Sequence, residues 1–576
     1  MIIFKMVSQF AEKALLLFTL HLATNYSVLA QDNNKLTKQQ WLEDLNFTVK
    51  TLKAQHLDIY YRISKEEFQK NITYAETKIN QSHSDEECYT ALCQIVASIR
   101  DGHTRLMSLL PAYNWIFPVR IYEFSDGVFI TGITDKYEKF IGAEVIKTGR
   151  LSVQEALREA GDLAFADNDF GEKSQAPIIA LTRSYAYGLG ITQSVDTLTL
   201  EIETKAGNHE TIILLPVMLP DANPMLNGID IGPAGIEFKS AFTGTGKQLP
   251  LFIKHLDGNH NYWFEHDKES KMLYMQFSRV TDQQDESFKQ FYSRMFKYYD
   301  EHAGTIDKFI LDLRFNGGGE GLITIPFINE IIKRDKINRI GSFYTLTGRR
   351  TFSAAVLLIA ELMLHTNTLL VGEPPGAAQN MFSDLQGKGL LPNCGANLIL
   401  STAYFNIAWP AGENYLIPPH YPVQFSSSDF FSGKDPALEA IMANKVKALE
   451  TVFYEDGPEA ALAYFNNINY DWGLHKNETS ITPGTFPVAK YKFGETVLNN
   501  IGFDYMNRNK MNEAGATFNL NVKLFPDSFN TWDSYAEYFM KCKDNNNAVK
   551  YYKKSLELNP DNLNAKKKLR ELGVIK

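Results

Sequence analysis

Trp41, Leu45, Val49 and Leu52 fall on one face of a 3.6-residue period, the pattern of an amphipathic helix. Thr37-x-x-Gln40 stands just before it, and Ser64-x-x-Glu67 and Ser84-x-x-Glu87 mark two more helix starts. In each, a hydroxyl can accept from an orphan backbone N–H while the Glu or Gln reaches back to the cap. The third helix runs through Ala91, Ile95 and Ile99 and stops at Asp101-Gly102. Gly102 is expected to take the left-handed conformation that ends a helix. His103 follows it directly.

Beyond residue 112 the period changes. Strands are expected over 119–122 and 128–131 around the turn Ser125-Asp126-Gly127, and again over 141–146. A short helix is expected over 153–160. Residues 198–204 alternate apolar and polar, and Ala206-Gly207 turns the chain into another apolar run at 211–215. This reads as a small β-rich module with one or two helices. Residues 216–268 are punctuated by Pro and Gly and predict little.

From 270 to 440, strand-like runs at 272–277, 309–313, 343–346 and 368–371 alternate with helical stretches at 288–299, 327–332 and 354–365. Such alternation predicts a largely parallel sheet covered by helices. Past 445 the pattern is helical with an internal repeat. Leu524-Phe525-Pro526-Asp527 matches Leu558-Asn559-Pro560-Asp561 at a spacing of 34 residues. Gly502 matches Ala536, Ala514 matches Ala548 and Phe518 matches Tyr552 at the same offset. A 34-residue helix–turn–helix period is the tetratricopeptide (TPR) signature. A plain helical hairpin with a chance match is the bland alternative.

The chain has 576 residues, enough for about four domains at roughly 150 residues each. Its formal net charge is −9, which gives no reason to expect nucleic acid. Cys88, Cys93, Cys394 and Cys542 form no Cys-x-x-Cys pair, so free thiols are expected and neither a zinc framework nor a disulfide scaffold. Residues 1–30 carry Lys5 and Lys13, an apolar run over 14–23 and small residues up to Ala30. That is the layout of a secretory signal, and it predicts an exported protein, periplasmic or secreted, tethered if the signal is not cleaved. Residues 354–371 are apolar but contain Glu361 and His365, so they read as core and no integral membrane domain is expected.

Three segments could carry chemistry. Asp312-Leu313-Arg314-Phe315-Asn316-Gly317-Gly318-Gly319 runs from a strand into glycines, whose N–H groups can face a ligand unobstructed. Without a Lys-Ser/Thr it is no P-loop, and alone it is a phosphate loop or a turn. Thr351-Phe352-Ser353-Ala354-Ala355 places a serine at a helix start. Ser353 is either an N-cap or a nucleophile beside the positive end of the helix, whose free N–H groups can hold an oxyanion. Asp101-Gly102-His103-Thr104 offers a histidine that is either a helix-end partner or a general base for Ser353. His365 lies about 18 Å down the Ser353 helix and is out of reach.

Taken together these segments resemble the tail-specific, or C-terminal processing, serine peptidases, in particular the branch containing the tricorn protease core and the interphotoreceptor retinoid-binding protein. The resemblance covers residues 40–440. It rests on 312–319 and 351–355, on Val371-Gly372-Glu373-Pro374, and more weakly on Leu391-Pro392-Asn393 and Lys434-Asp435-Pro436. Many members use a Ser/Lys dyad, but the lysine position falls on Ala378 here. The Ser/His branch carries its histidine in an Asp-Gly-His-Thr-like segment, as at 101–104.

The resemblance implies a multidomain α/β protein. Residues 1–30 would be a signal peptide, 31–111 an N-terminal helical segment carrying His103, 112–215 a PDZ-like β-rich module, 216–445 the α/β catalytic core with its largely parallel sheet, and 446–576 an all-α region with TPR-like repeats. It implies a serine peptidase with Ser353 as nucleophile, His103 as general base, Glu413 as the orienting carboxylate, and the N–H groups of Gly318 and Ala354 as the oxyanion hole. In the family a small hydroxyl residue precedes the histidine; that position is Gly102, and Thr104 is the candidate replacement. The substrate would be a peptide or unfolded protein, with a protein partner at the TPR tail. No metal or organic cofactor is implied. A catalytically inert peptide- or ligand-binding protein on the same fold, with the tail as scaffold, is the alternative.

Overall fold

A computed structural model describes residues 35–107, 114–218, 238–242, 249–256, 260–385, 387–407, 416–447, 449–468 and 495–575. The signal-like segment 1–30 and Glu413 lie outside the described residues.

Every residue of the strand Met272–Phe277 is buried. A strand reads as a continuous apolar run when both faces of its sheet are covered. It lies in a six-stranded sheet, next to Tyr262–Asp267 on one side, antiparallel, and Lys308–Asp312 on the other. Phe343–Thr347, Leu369–Gly372 and Tyr421–Pro422 follow in sequence order, all parallel. Stepwise order with right-handed crossovers puts the connecting helices on one face. Phe288–His302, Ile325–Ile332 and Ala354–His365 pack there against Leu273, Met275, Phe309 and Leu311. The alternate residues, Tyr274, Ile310, Tyr344 and Leu346, face Pro436–Met442. The Ser353 loop and the glycine loop both leave the carboxyl ends of these strands.

The N-terminal helices are Lys38–Gln55, Lys65–Gln81 and Asp85–Ala97. Thr37 and Gln40 close both arms of a capping box, while Ser64 and Ser84 accept from Glu67 N and Glu87 N. The third helix ends differently from expectation. Arg100, at φ 55°, takes the left-handed conformation, and Gly102 does not. Gly102 is needed for space instead, as the site shows.

A second sheet of seven strands includes Val119–Phe124, Gly127–Thr134, Glu144–Thr148, Leu198–Glu203 and His209–Leu214. Three α-helices accompany it rather than one or two: Val153–Gly161, Asp169–Leu181 and Arg183–Gly188. Gly171 and Pro177 interrupt the second helix in sequence, which hides its period. Buried Phe170, Ala176 and Ala180 nevertheless hold it. The N-terminal helices and this sheet share one hydrophobic core, which also takes in Leu391, Leu398 and Leu400. Arg105–Met107 pairs antiparallel with Asn397–Leu400, so the segment after His103 is stitched to the second half of the chain.

The C-terminal region is helical. Helices starting at Glu495, Phe529 and Leu563 are 34 residues apart, as are those starting at Met511 and Asn545. Ala514, Ala536, Ala548, Phe518 and Tyr552 are fully buried where the helices meet. A Cβ on Gly502 would lie 2.7 Å from the Phe518 ring, so the small residue permits the close approach. Among the described residues, no helix is long and apolar enough to cross a membrane. Cys88, Cys93 and Cys394 are buried free thiols and Cys542 an exposed one.

Candidate active site

The turn before Ser353 is held at each residue. Thr351 N donates to Gly348 O (2.8 Å) and Phe352 N to Asn316 O (2.9 Å). Thr351 Oγ1 donates to Leu313 O (2.8 Å) and accepts from Gly348 N (3.1 Å). These bonds drive Ser353 to φ 53°, ψ −128° at the head of the helix Ala354–His365. A non-glycine residue there stores about 1–3 kcal/mol of strain, tolerable only where the surroundings impose it. Ser353 occupies the N-cap position, but its hydroxyl makes no capping hydrogen bond. Its Oγ points elsewhere: His103 Nε2 lies 2.9 Å away.

His103 is buried, and its ring stacks on Phe352 at 4.7 Å between centroids and 27° between planes. A Cβ on Gly102 would lie 2.8 Å from that same Phe352 ring. A hydroxyl residue before the histidine, as the family that the sequence resembles carries, therefore has no room here. Thr104 does not replace it: its Oγ1 donates to Asp101 Oδ2 (2.6 Å) and reaches Ser401 Oγ (3.4 Å).

Two buried carboxylates hold the His103 loop. Asp101 Oδ1 accepts from His103 N (2.9 Å), and its Oδ2 faces His56 Nε2 at 2.9 Å. His56 Nδ1 accepts from Asp58 N (3.1 Å), which leaves the His56 proton on Nε2, toward Asp101. Asp167 Oδ1 accepts from Gly102 N (2.9 Å) and from Arg62 Nη1 (2.7 Å); its Oδ2 accepts from Ala378 N (3.1 Å). The lysine position of the dyad branch is thus a buried alanine tied to the histidine loop. His365, as expected, is out of the site and pairs with Glu361 at 3.1 Å.

Burial pushes the His103 pKa below the usual histidine range, opposed by the negative charges of Asp167 and Asp101. For Asp101, burial would raise the pKa, but the His56 hydrogen bond, the nearby His103 and the Thr104 hydroxyl outweigh it and hold the carboxyl well below the usual range. His103 Nδ1 is buried and has no hydrogen-bond partner among the described residues.

On the other side of Ser353 lies the glycine loop. Gly318 has φ +96°, and a Cβ on it would lie 2.6 Å from Ser353 Cβ and 2.9 Å from Ala354 N. Only glycine leaves this space open. Ala354 N is among the first N–H groups of its helix, which the helix itself leaves without partners. Gly318 N, expected to face the same space as a donor, instead donates to Asn316 Oδ1 (2.9 Å). Asn316 is fixed in turn by donating from Nδ2 to Phe277 O (2.8 Å).

The remaining motif residues are structural. Arg314 pairs with Asp312 (2.6 Å) and with Asp435 (2.7 Å), and Tyr274 OH donates to Asp312 Oδ2 (2.5 Å). Arg349 Nε donates to Glu373 Oε2 (3.0 Å). His56, Arg62, Phe352 and Asp167 join the site only through the tertiary structure. Phe352 lay inside the serine motif; the other three sit in segments with no spacing signal.

No family model and no curated protein matches this sequence. Solved structures similar to it include mature CPAF complexed with lactacystin, at 14% identity and TM-score 0.47, over 73% of this chain and 99% of that one. A photosystem II D1 C-terminal processing protease is similar at 12% identity and TM-score 0.32, over 71% and 97%. The tricorn protease is similar at 12% identity and TM-score 0.32, over 71% of this chain and 37% of that one. At these identities and TM-scores, the functional reading rests on the site's own residues.

Proposed function

We propose that the chain is a serine-type endopeptidase with Ser353 as nucleophile and His103 as general base. The observation that carries this reading is the 2.9 Å contact between His103 Nε2 and Ser353 Oγ. A histidine kept neutral by burial can accept a proton, and the strained backbone of Ser353 turns its hydroxyl toward that base. His103 Nε2 takes the hydroxyl proton while Oγ bonds to the peptide carbonyl carbon. The oxyanion is held by Ala354 N–H and by Gly318 N–H, the latter once it leaves Asn316 Oδ1. One such donor is worth about 3 kcal/mol in rate. The C–N bond then breaks as His103 protonates the amine, and water, deprotonated by His103, releases the acyl group.

For Nε2 to act as base, the proton of neutral His103 must sit on Nδ1, which then needs an acceptor. Glu413 is the proposed acceptor, from outside the described residues. The sheet at 119–214 is proposed to be the PDZ-like module, presenting a strand edge to peptide. The 34-residue helical period is proposed to form TPR repeats with a concave face for a protein partner. The basic–apolar–small order of residues 1–30 supports export.

The Gly318–Asn316 bond favours one other reading, an inert binding protein on the same fold. Residues 31–576 incubated with an unfolded protein and a peptide mixture, read by mass spectrometry, separate the two. Cleavage by wild type but not by Ser353→Ala or His103→Ala is expected, together with labelling of Ser353 by a fluorophosphonate. Turnover retained in a clean Ser353→Ala preparation would overturn the assignment.

A further inference from the structure

One buried carboxylate reaches both halves of the Ser353–His103 pair. Asp167 is fully buried and precedes Asn168, the N-cap of the helix Asp169–Leu181. Its Oδ1 takes the Gly102 N–H at 2.9 Å, one residue before the base. A Cβ on Gly102 would lie 3.5 Å from the Asp167 carboxyl carbon, so the carboxylate lies directly against the histidine loop. Its Oδ2 takes the Ala378 N–H at 3.1 Å. Gly376, two residues earlier, donates from N to Thr351 O (3.0 Å) in the turn that carries the nucleophile. The two segments are closely docked. A Cβ on Gly171 would lie 2.5 Å from Gly376 O, and Asn168 Nδ2 donates to Pro375 O (3.1 Å). Asp167 therefore cannot shift without disturbing the base, the nucleophile or both.

Arg62 supplies the third donor. Its Nη1 donates to Asp167 Oδ1 (2.7 Å) and to Arg100 O (2.6 Å), and its Nη2 to Asn380 O (3.3 Å). A carboxylate only accepts, so its two oxygens satisfy all three donors, whereas an asparagine would offer a single acceptor oxygen. A buried charge is tolerated where it is paired and hydrogen-bonded, as this one is. Four charged groups act on His103. Asp167 and Asp101 favour its protonated form, and Arg105 and Arg62 oppose it. Asp101 and Arg105 lie on the histidine's own segment. Asp167 comes from the region of the second sheet, and Arg62 from the loop between the helices Lys38–Gln55 and Lys65–Gln81. His56 faces Asp101, and Ser353 faces His103 Nε2. When Nε2 takes the Ser353 proton, the imidazolium forms in a buried site, where a fixed negative charge stabilises it more than it would in water.

We propose that Asp167 is a positioning residue of the peptidase site: it fixes the spacing of base and nucleophile through the Gly102 and Ala378 N–H groups and stabilises the imidazolium of His103, while Arg62 holds the carboxylate in place and tempers its charge. This deepens the peptidase reading and rests on it. Asp167 makes no bond to the imidazole, whose Nε2 faces Ser353 and whose Nδ1 has no partner among the described residues. It acts beside the Nδ1 acceptor and not in its place.

NMR of the full chain with isotope-labelled histidine reads the His103 titration without relying on turnover; the signal is assigned by its loss in His103→Gln. Asp167→Asn should move the midpoint to lower pH by about one pH unit. Arg62→Met leaves Asp167 its two backbone donors and should move the midpoint the other way. A purely structural role would disturb both variants alike and would not split the midpoints in opposite directions. In Asp167→Asn, kcat/KM for a cleaved peptide should fall about tenfold or more, and its acid limb should move with the NMR midpoint. Midpoints that stay put, or that both move the same way, overturn the proposal. If Asp167→Asn fails to fold, Arg62→Met decides alone, and a midpoint that stays or falls overturns it. Cleavage of a peptide mixture by wild type judges the peptidase reading separately, because the titration needs no substrate.

Discussion

Gly102 and Phe352 meet across the site so closely that a Cβ on the glycine would lie 2.8 Å from the aromatic ring. The ring on the other side stacks against His103. Any side chain at 102 must therefore push Phe352, and Phe352 must push the histidine.

Gly102→Ser is thus expected to lower kcat/KM more than tenfold and to cost about 1–3 kcal/mol in stability by overpacking. Adding Phe352→Leu should recover part of both. Steady-state kinetics and thermal melts of the single and double variants check this. Strictly additive losses would show that the two positions do not share this space.

Ser353 carries its strain whether or not it is a nucleophile. Ser353→Ala should abolish cleavage with near wild-type stability, because alanine inherits φ 53°. Ser353→Gly should also be inactive but about 1 kcal/mol more stable than Ser353→Ala, because glycine adopts this backbone without a steric penalty. Chemical denaturation of the two variants measures the difference.

The pH profile follows from the environment of His103. A general base works only when deprotonated, and burial lowers its pKa. The acid limb of kcat/KM should therefore lie below pH of about 6.5, the ordinary histidine value. Asp167 and Asp101 work in the opposite direction, so Asp101→Asn, in whatever fraction stays folded, should shift the limb further toward acid. A limb above pH 7 would contradict a buried neutral base.

Asp101 also ties stability to pH. Its folded pKa lies below the unfolded one, so it contributes stability that is complete above about pH 4 and is lost as pH falls toward the folded value. Asp101→Asn strands the His103 N–H, Thr104 hydroxyl and His56 contacts on a weaker acceptor and should cost about 2–4 kcal/mol at pH 7. Its Tm should fall less than that of wild type between pH 5 and pH 3. Parallel melts at the two pH values test both statements.

The parallel sheet was legible because its strands are buried on both faces, so 272–277 and 309–313 read as apolar runs without any knowledge of partners. The helical stretches between them, 288–299, 327–332 and 354–365, follow from their alternation with those strands. Ser353 and His103 were legible as types in suggestive places, a hydroxyl at a helix start and an imidazole after a helix end. The C-terminal period was legible because repeated helix pairs repeat their small residues. The helix Asp169–Leu181 was hidden by Gly171 and Pro177, whose cost is met by buried neighbours far away in sequence.

The chain by itself determined the type and approximate place of the core strands and the capped helices, because periodicity and caps depend on residues within a few positions of one another. Tertiary structure decided what the marked residues do. It set His103 against Ser353 across 250 positions. It made Asp167 the clasp between the Gly102 and Ala378 backbones and turned Gly102 from a helix stop into a spacer. It gave Gly318 N–H to Asn316. Contacts between distant segments are fixed by sheet order and packing volume, and no local spacing records either.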